Sequence, residues 1–155
     1  MKKHMINFLN EFLVDANIKK VWNFYTDIDH LKIITPLSIR LEIIKHEGKK
    51  IEEGKEVYIT GKIFPFFKSK WHSKITFFDN ANYVYVDEMI KGPFKKWKHI
   101  HKFVKINENT TKVIDEIEFQ TKLPFLDKII HNYVISSLKK LFNNREIETK
   151  KHVNE

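Results

Sequence analysis

The sequence lacks cysteine and has few glycines, and these two shortages exclude several kinds of chemistry. Without cysteine the chain can form no disulfide bond, no thiolate nucleophile and no zinc site built on sulfur. Only four glycines occur, and they form neither a phosphate-cradling loop nor the Gly-x-Ser-x-Gly turn of serine hydrolases. We therefore expect neither nucleotide hydrolysis nor catalysis by a serine or cysteine nucleophile.

Long apolar runs are also missing. No stretch approaches the roughly 18 apolar residues of a membrane span. Asn7, Asn10 and Glu11 interrupt the apolar segment that a signal peptide would need after the basic N-terminus. Because the absence of cysteine also suits a reducing compartment, the sequence predicts a soluble cytoplasmic protein.

The 155 residues are enough for one substantial core with room for a cavity, and we predict a single domain over residues 1–155. The formal net charge is +8, but the lysines are scattered, and arginine occurs only at Arg40 and Arg145. Specific nucleic-acid readers rely on arginine forks and known motifs, neither of which is evident, so no specific nucleic-acid partner is expected. A homodimer remains open.

Hydrophobic periodicity divides the chain into one strand, two short helices, six further strands and a long helix. The first strand runs from Met5 to Val14, and both short helices fall between residues 16 and 35. Turn residues separate the later strands, predicted at about 39–46, 55–64, 68–79, 82–91, 95–106 and 111–121. Short connections make sequential strands antiparallel neighbours. The predicted fold class is α+β, with a curved antiparallel sheet of about seven strands.

The last helix is predicted to begin at Leu123-Pro124 and to end near Glu148, with a length of about 36 Å. Its main apolar stripe contains Leu126, Ile130, Tyr133, Ser137 and Leu141, and the stripe is widened by Ile129, Val134, Leu138 and Phe142. A helix of this length needs a broad concave sheet to lie in. The polar tail, residues 149–155, is predicted to fray.

The segment from Tyr83 to Phe103 carries the most informative pattern. Two predicted strands flank Gly92-Pro93, and in the second strand aromatic residues and histidines alternate mainly with lysines. Since successive strand side chains point to opposite faces, one face carries Trp97, His99, His101 and Phe103. Imidazoles on an apolar, aromatic face indicate a binding pocket with a few placed polar groups.

This order of elements resembles the helix-grip fold of the START-like (SRPBCC) ligand-binding superfamily along the whole chain. Asp87, Gly92-Pro93-Phe94 and the Trp-x-His-x-His-x-Phe pattern of residues 97–103 are similar to the signature of an uncharacterised bacterial branch. The chain has Met89 where that branch often has glutamine, which removes an amide from the cavity face. The resemblance implies a cavity between sheet and final helix but no common catalytic residues.

The predicted ligand is a hydrophobic or aromatic small molecule, lipid- or polyketide-like. The alternating strand faces and the helix stripe predict the residues that line its cavity: Trp71, Ser73, Phe77, Tyr85, Asp87, Met89, Trp97, His99, His101, Phe103, Tyr133 and Ser137. His72 falls on the opposite, lysine-rich face and is predicted to be an exposed surface histidine.

A symmetrical hairpin around Asn107-Glu108-Asn109 would set His101 opposite Asp115. A slip of one residue would turn Glu116 and Glu118 inward, at a cost of several kcal/mol if they are unpaired, so the first register is favoured. Asp115 then either makes His101 a general acid or base or simply satisfies a buried imidazole.

The sequence leaves three functions open. A binding module is favoured; the alternative is a cyclase- or dehydratase-type enzyme with His99, His101, Asp115 and Asp87 as candidate acid/base groups. An interaction protein working through its basic surface would instead have a filled core. The His-x-His pair could present two nitrogens to a metal, but the third ligand, Asp115 or Asp87, is open, and we predict no metal and no cofactor.

Overall fold

The computed structural model describes residues 5–46, 48–64 and 67–155. It contains one antiparallel sheet in the order β1-β7-β6-β5-β4-β3-β2, curved around a long C-terminal helix. The strands are β1 (Ile6–Val14), β2 (Glu42–Lys45), β3 (Glu56–Phe64), β4 (Phe67–Asp79), β5 (Val84–Lys91), β6 (Lys96–Asn107) and β7 (Thr110–Gln120). Strands β2 to β7 form a meander, and β1 pairs with the outer edge of β7. The predicted α+β class and strand number are confirmed.

As expected from the sequence, two short helices follow β1 and one long helix follows β7. They are α1 (Ile18–Tyr25), α2 (His30–Ile33) and α3 (Asp127–His152), with short 3₁₀ turns at Leu37–Ile39 and Pro124–Leu126. Asn17 caps α1, since its side chain accepts a hydrogen bond from the backbone N–H of Lys19. None of the helices in the described residues combines the length and the apolar character that a membrane span requires.

The hairpin of β6 and β7 has the register predicted from its turn. His101 pairs with Asp115 and His99 with Ile117. The turn is fixed locally, because the Asn107 side chain accepts a hydrogen bond from the backbone N–H of Asn109. Alternate residues of β7 are buried, from Thr111 to Phe119. This register therefore directs both histidines and Asp115 into the interior.

Strand β4 changes phase near its C-terminal end, contrary to the simple alternation predicted from the sequence. Ile75 pairs with Asp87 and Phe77 with Val86, so Thr76 is the extra residue of a β-bulge. After the bulge Phe78 faces the core beside Trp22, whereas Phe77 is 46% exposed. The prediction that Phe77 lines the cavity is therefore wrong.

Helix α3 turns a different face to the sheet from the stripe predicted for it. Its buried residues are Val134, Leu138, Phe142, Arg145 and Thr149. Residues expected only to widen the stripe thus form its centre, while Ile129 is 70% exposed and Tyr133 is 37% exposed. The helix is rotated because its C-terminal half also buries Arg145 and Thr149, which an apolar pattern does not reveal.

The predicted frayed tail is also wrong, because α3 continues to His152. Thr149 is fully buried, and its hydroxyl lies 2.7 Å from the Tyr25 hydroxyl. Val153 belongs to the same core cluster as Tyr25 and Trp22. These contacts come from α1, far away in the sequence, so local polarity could not predict them.

Replacing Thr149 by valine should therefore lower the free energy of unfolding by about 1–2 kcal/mol. Valine keeps nearly the shape of threonine, but the buried Tyr25 hydroxyl loses its hydrogen-bond partner. Urea denaturation measures the change. Lys151→Ala, on the exposed side of the same turn, should change it by less than about 0.5 kcal/mol. Equal effects of the two substitutions would mean that the end of α3 is not packed as described.

Candidate functional site

A cavity of about 920 Å³ lies between the inner face of the sheet and α3, and it is partly open to solvent. Strands β3 to β7 supply its floor, while α3 and the segment from Phe24 to Leu41 supply its walls. Trp71, Phe94 and Trp97 form an aromatic surface, with ring centroids 4.9 to 5.8 Å apart. The volume falls in the range of small-molecule sites, and the lining is mostly apolar.

Nine of the residues predicted to line the cavity do so: Trp71, Ser73, Tyr85, Asp87, Trp97, His99, His101, Tyr133 and Ser137. Two others lie elsewhere in the core. Phe103 packs against Tyr25 and Trp22 at centroid distances of 5.0 and 5.6 Å, so α1 covers it. Met89 packs against Gly92 in the connection between β5 and β6. Phe77, on the outer side of the bulge, is the third exception.

His99, His101, Asp87 and Asp115 form a charged cluster at the floor of this cavity. His101 Nε2 lies 2.6 Å from Asp87 Oδ2, and His99 Nε2 lies 2.8 Å from Asp115 Oδ1. The imidazole rings are 3.6 Å apart. His101 does lie opposite Asp115 in register, but its Nδ1 is 3.4 Å from Asp115 Oδ1 and makes no hydrogen bond. The short contacts thus pair Asp115 with His99 and Asp87 with His101, so the prediction that Asp115 is the close partner of His101 is wrong.

Arg145 completes the charged cluster, although the sequence pattern did not predict this position. Its Nη1 donates to Asp115 Oδ1 at 3.1 Å, and the residue is only 6% exposed. The guanidinium lies over the Phe142 ring, 4.8 Å from its centroid. Leu138, Phe142, Arg145 and Thr149 follow helical spacing, so a charge within the apolar stripe was the available signal.

The two histidines of the cluster differ in protonation. Burial, together with the neighbouring His101, lowers the pKa of His99 to about 4, although Asp115 opposes this shift. Burial also disfavours the charged form of His101, but its contacts with Asp115 and Asp87 outweigh burial and raise its pKa. The cavity floor therefore holds one neutral and one readily protonated imidazole side by side.

Both carboxylates of the cluster remain ionised. Burial alone would raise the pKa of Asp115, but Arg145 and the two histidines hold it well below its usual range. The pKa of Asp87 is likewise lowered, because the hydrogen bond and charge of His101 outweigh burial. Tyr85 stacks on His101 at a centroid distance of 4.1 Å, and burial raises its pKa well above the ordinary value, so its hydroxyl stays neutral.

Three buried polar atoms of the cluster have no hydrogen-bond partner within the described part of the chain. They are His101 Nδ1, Asp115 Oδ2 and Arg145 Nε. Such atoms are uncommon in native proteins, and each calls for an explanation. Asp87, His99 and His101 also present ligand atoms that lie within 4.8 Å of one another, a spacing that could hold a metal ion.

The fold is shared by solved structures of low sequence identity. A truncated norcoclaurine synthase from Thalictrum flavum is 19% identical, with 97% of this chain and 94% of that chain covered and a TM-score of 0.74. The Zhui aromatase/cyclase from Streptomyces sp. R1128 is 15% identical over 97% and 92%, with a TM-score of 0.68. A START superfamily protein from Mycobacterium smegmatis is 14% identical over 97% of both chains, with a TM-score of 0.69.

Comparison with curated protein sequences gives no match. Residues 14–141, however, match the family described as "Polyketide cyclase / dehydrase and lipid transport". This match covers most of the chain, from the end of β1 to the middle of α3, and includes the whole charged cluster except Arg145. With the helix-grip fold of the START-like superfamily, it shows that the chain belongs to the polyketide cyclase/dehydrase and lipid transport family.

Proposed function

We propose that this protein binds a hydrophobic or aromatic small molecule, lipid- or polyketide-like, in the cavity between the sheet and α3. The observation that carries the proposal is the cavity itself, about 920 Å³ with a largely apolar lining and one polar cluster on its floor. Family membership supports a ligand-binding or cyclase-type role. A filled core, expected for a protein that acts only through its basic surface, would have left no such space.

The proposed ligand has an apolar body and a polar group. The body would lie against Trp71, Phe94 and Trp97, whose tilted and edge-on rings offer an apolar aromatic surface. The polar group would approach Asp87 and His99, which belong both to the charged cluster and to the cavity lining. A ligand without any polar group would remove water from these side chains without giving them a new hydrogen bond, which costs affinity.

Replacing Ser137 by tryptophan tests the site, because Ser137 lines the cavity from α3. The indole should occupy part of the cavity and weaken binding of an apolar fluorescent probe such as N-phenyl-1-naphthylamine by about tenfold or more, equivalent to about 1.4 kcal/mol. Fluorescence titration measures the affinity.

The matched control is Lys139→Trp, an exposed position on the same helix that is not part of the lining. This substitution should leave probe affinity unchanged. Circular dichroism confirms that both variants are folded. If the folded Ser137→Trp variant bound the probe as tightly as the control, the proposed cavity would not be the binding site.

A cyclase- or dehydratase-type reaction is the second candidate, with His101, Asp115 and His99 as acid/base groups. The observation that favours it is the pair of adjacent imidazoles with opposite pKa shifts, one a potential base and the other a potential acid. Both lie on the cavity floor, where a bound carbonyl compound would meet them. Turnover of a bound ligand, as opposed to binding alone, separates this candidate from the first.

A further inference from the structure

Asp87, His99 and His101 form a set of three potential metal ligands on two neighbouring strands. His99 and His101 are two residues apart on β6, on the same face, and Asp87 on β5 pairs directly with His99. Their ligand atoms lie within 4.8 Å of one another. Asp87 is therefore the candidate for the third ligand, which the sequence left open.

One ring nitrogen of His99 contacts Asp115, and the other is available to coordinate a metal ion. Its Nε2 lies 2.8 Å from Asp115 Oδ1, and that carboxylate is also held by Arg145 at 3.1 Å. The other nitrogen, Nδ1, lies 3.8 Å from Asp87 Oδ2. A histidine that donates one N–H to a carboxylate and turns the other nitrogen toward further ligands has the arrangement typical of protein metal sites.

Two unpartnered atoms at the floor point to the same ligand. His101 Nδ1 and Asp115 Oδ2 are buried without hydrogen-bond partners among the described residues, on side chains that are 7% and 1% exposed. A metal on His101 Nε2 would fix the proton on Nδ1, which lies 3.4 Å from the Asp115 carboxylate. A small rotation of that carboxylate would then pair both atoms. Asp115 would support both histidine ligands at once.

We propose that Asp87, His99 and His101 bind a divalent transition-metal ion, with Asp115 and Arg145 as outer contacts and the remaining position open to the cavity. Two imidazoles and one carboxylate, without sulfur, suit Zn²⁺, Fe²⁺ or Co²⁺ better than Mg²⁺ or Ca²⁺. Three protein ligands with an open fourth position are the pattern of catalytic zinc sites. The two carboxylates outnumber the single guanidinium, so the cluster offers negative charge to the cation.

Binding requires a modest movement of one contact. His101 Nε2 and Asp87 Oδ2 are 2.6 Å apart, whereas two ligand atoms on a tetrahedral Zn²⁺ are separated by roughly 3.3 Å. The ion would thus replace the proton that the two groups share. This inference goes beyond the proposed ligand binding, since the open position could coordinate an oxygen of the bound molecule and polarise it.

The test uses the untagged full-length protein after treatment with a chelator. Titration with Zn²⁺ by calorimetry should give one site per chain, and Co²⁺ should give the visible absorption of a four- or five-coordinate nitrogen and oxygen site. In the wild-type protein, Zn²⁺ should shift the ring NMR signals of His99 and His101. These measurements do not depend on any variant being stable.

Variants then assign the ligands. Asp87→Asn and His99→Gln should each weaken Zn²⁺ binding by more than the roughly 10–100-fold expected for Asp115→Asn, which removes only an outer contact. His72→Gln is the matched control, because His72 pairs with Glu56 at 3.0 Å on the outer face of the sheet. This control should bind Zn²⁺ as tightly as the wild-type protein.

Absence of a stoichiometric site in the wild-type protein would overturn the inference. So would a loss of affinity in His72→Gln as large as in His99→Gln, since the metal would then be held by surface histidines. Probe binding is measured in the same samples. Chelator-treated protein that binds the probe but no metal would contradict the metal site and support the proposed ligand binding. Protein that binds the metal but not the probe would support the metal site and contradict the proposed ligand binding.

Discussion

Replacing Arg145 by methionine is expected to lower the free energy of unfolding by about 3–5 kcal/mol, which is the usual cost of leaving one partner of a buried ion pair without the other. Arg145 is buried to 94% and is the cation that contacts Asp115, itself 1% exposed. Methionine keeps much of the side-chain volume against Phe142, so the loss comes mainly from the uncompensated carboxylate. Urea denaturation with a circular dichroism readout measures the change.

The control for this prediction is the charge pair of Lys102 and Glu116 on the outer face of the β6–β7 hairpin, which also carries Asp115. Lys102 lies 2.7 Å from Glu116, closer than Arg145 lies to Asp115, but both side chains are 38% exposed. Lys102→Met should therefore cost only about 0–1 kcal/mol. The double variant Arg145→Met with Asp115→Leu should recover part of the stability lost in Arg145→Met, because no buried charge is left unpaired between the two positions. Equal losses for Arg145→Met and Lys102→Met would contradict the described burial of the pair.

The hairpin that carries the two histidines could be predicted because its determinants are local. The Asn107-Glu108-Asn109 turn and the alternation of apolar residues in β7 specify the same register, and a slip would have buried Glu116. The inward positions of His99, His101 and Asp115 follow directly from that register. The same local logic located Trp71, Ser73 and Trp97 on the cavity side.

The contacts within the charged cluster depended on information that no single segment carries. Which carboxylate each histidine meets depends on β5. The last pair between β5 and β6 is Glu88 with Lys98, so no tight turn adjoins the paired residues and fixes this register locally. Phe77 faces outward because β4 has a bulge where it pairs with β5. Thr149 is buried because α1 lies against the end of α3. Arg145 was visible as a charge in an apolar stripe, but its partner Asp115 is thirty residues earlier.

Replacing Phe142 by alanine should also lower the free energy of unfolding by about 3–5 kcal/mol, through lost burial and the cavity left behind. Phe142 is 1% exposed and joins α3 to the sheet at the charged cluster. Its ring lies 5.5 Å from Phe8 on β1 and 5.8 Å from His99 on β6, and it supports the Arg145 guanidinium.

Ile129→Ala provides the control for Phe142→Ala on the same helix, because Ile129 is 70% exposed and its truncation should change stability by less than about 0.5 kcal/mol. Phe142 also lines the ligand cavity, so its removal should enlarge the cavity next to His99. The folded fraction of Phe142→Ala should therefore still bind the apolar probe, in contrast to Ser137→Trp, even though the variant unfolds at a lower urea concentration. A stability loss no larger than that of Ile129→Ala would show that α3 is not anchored to the sheet through Phe142.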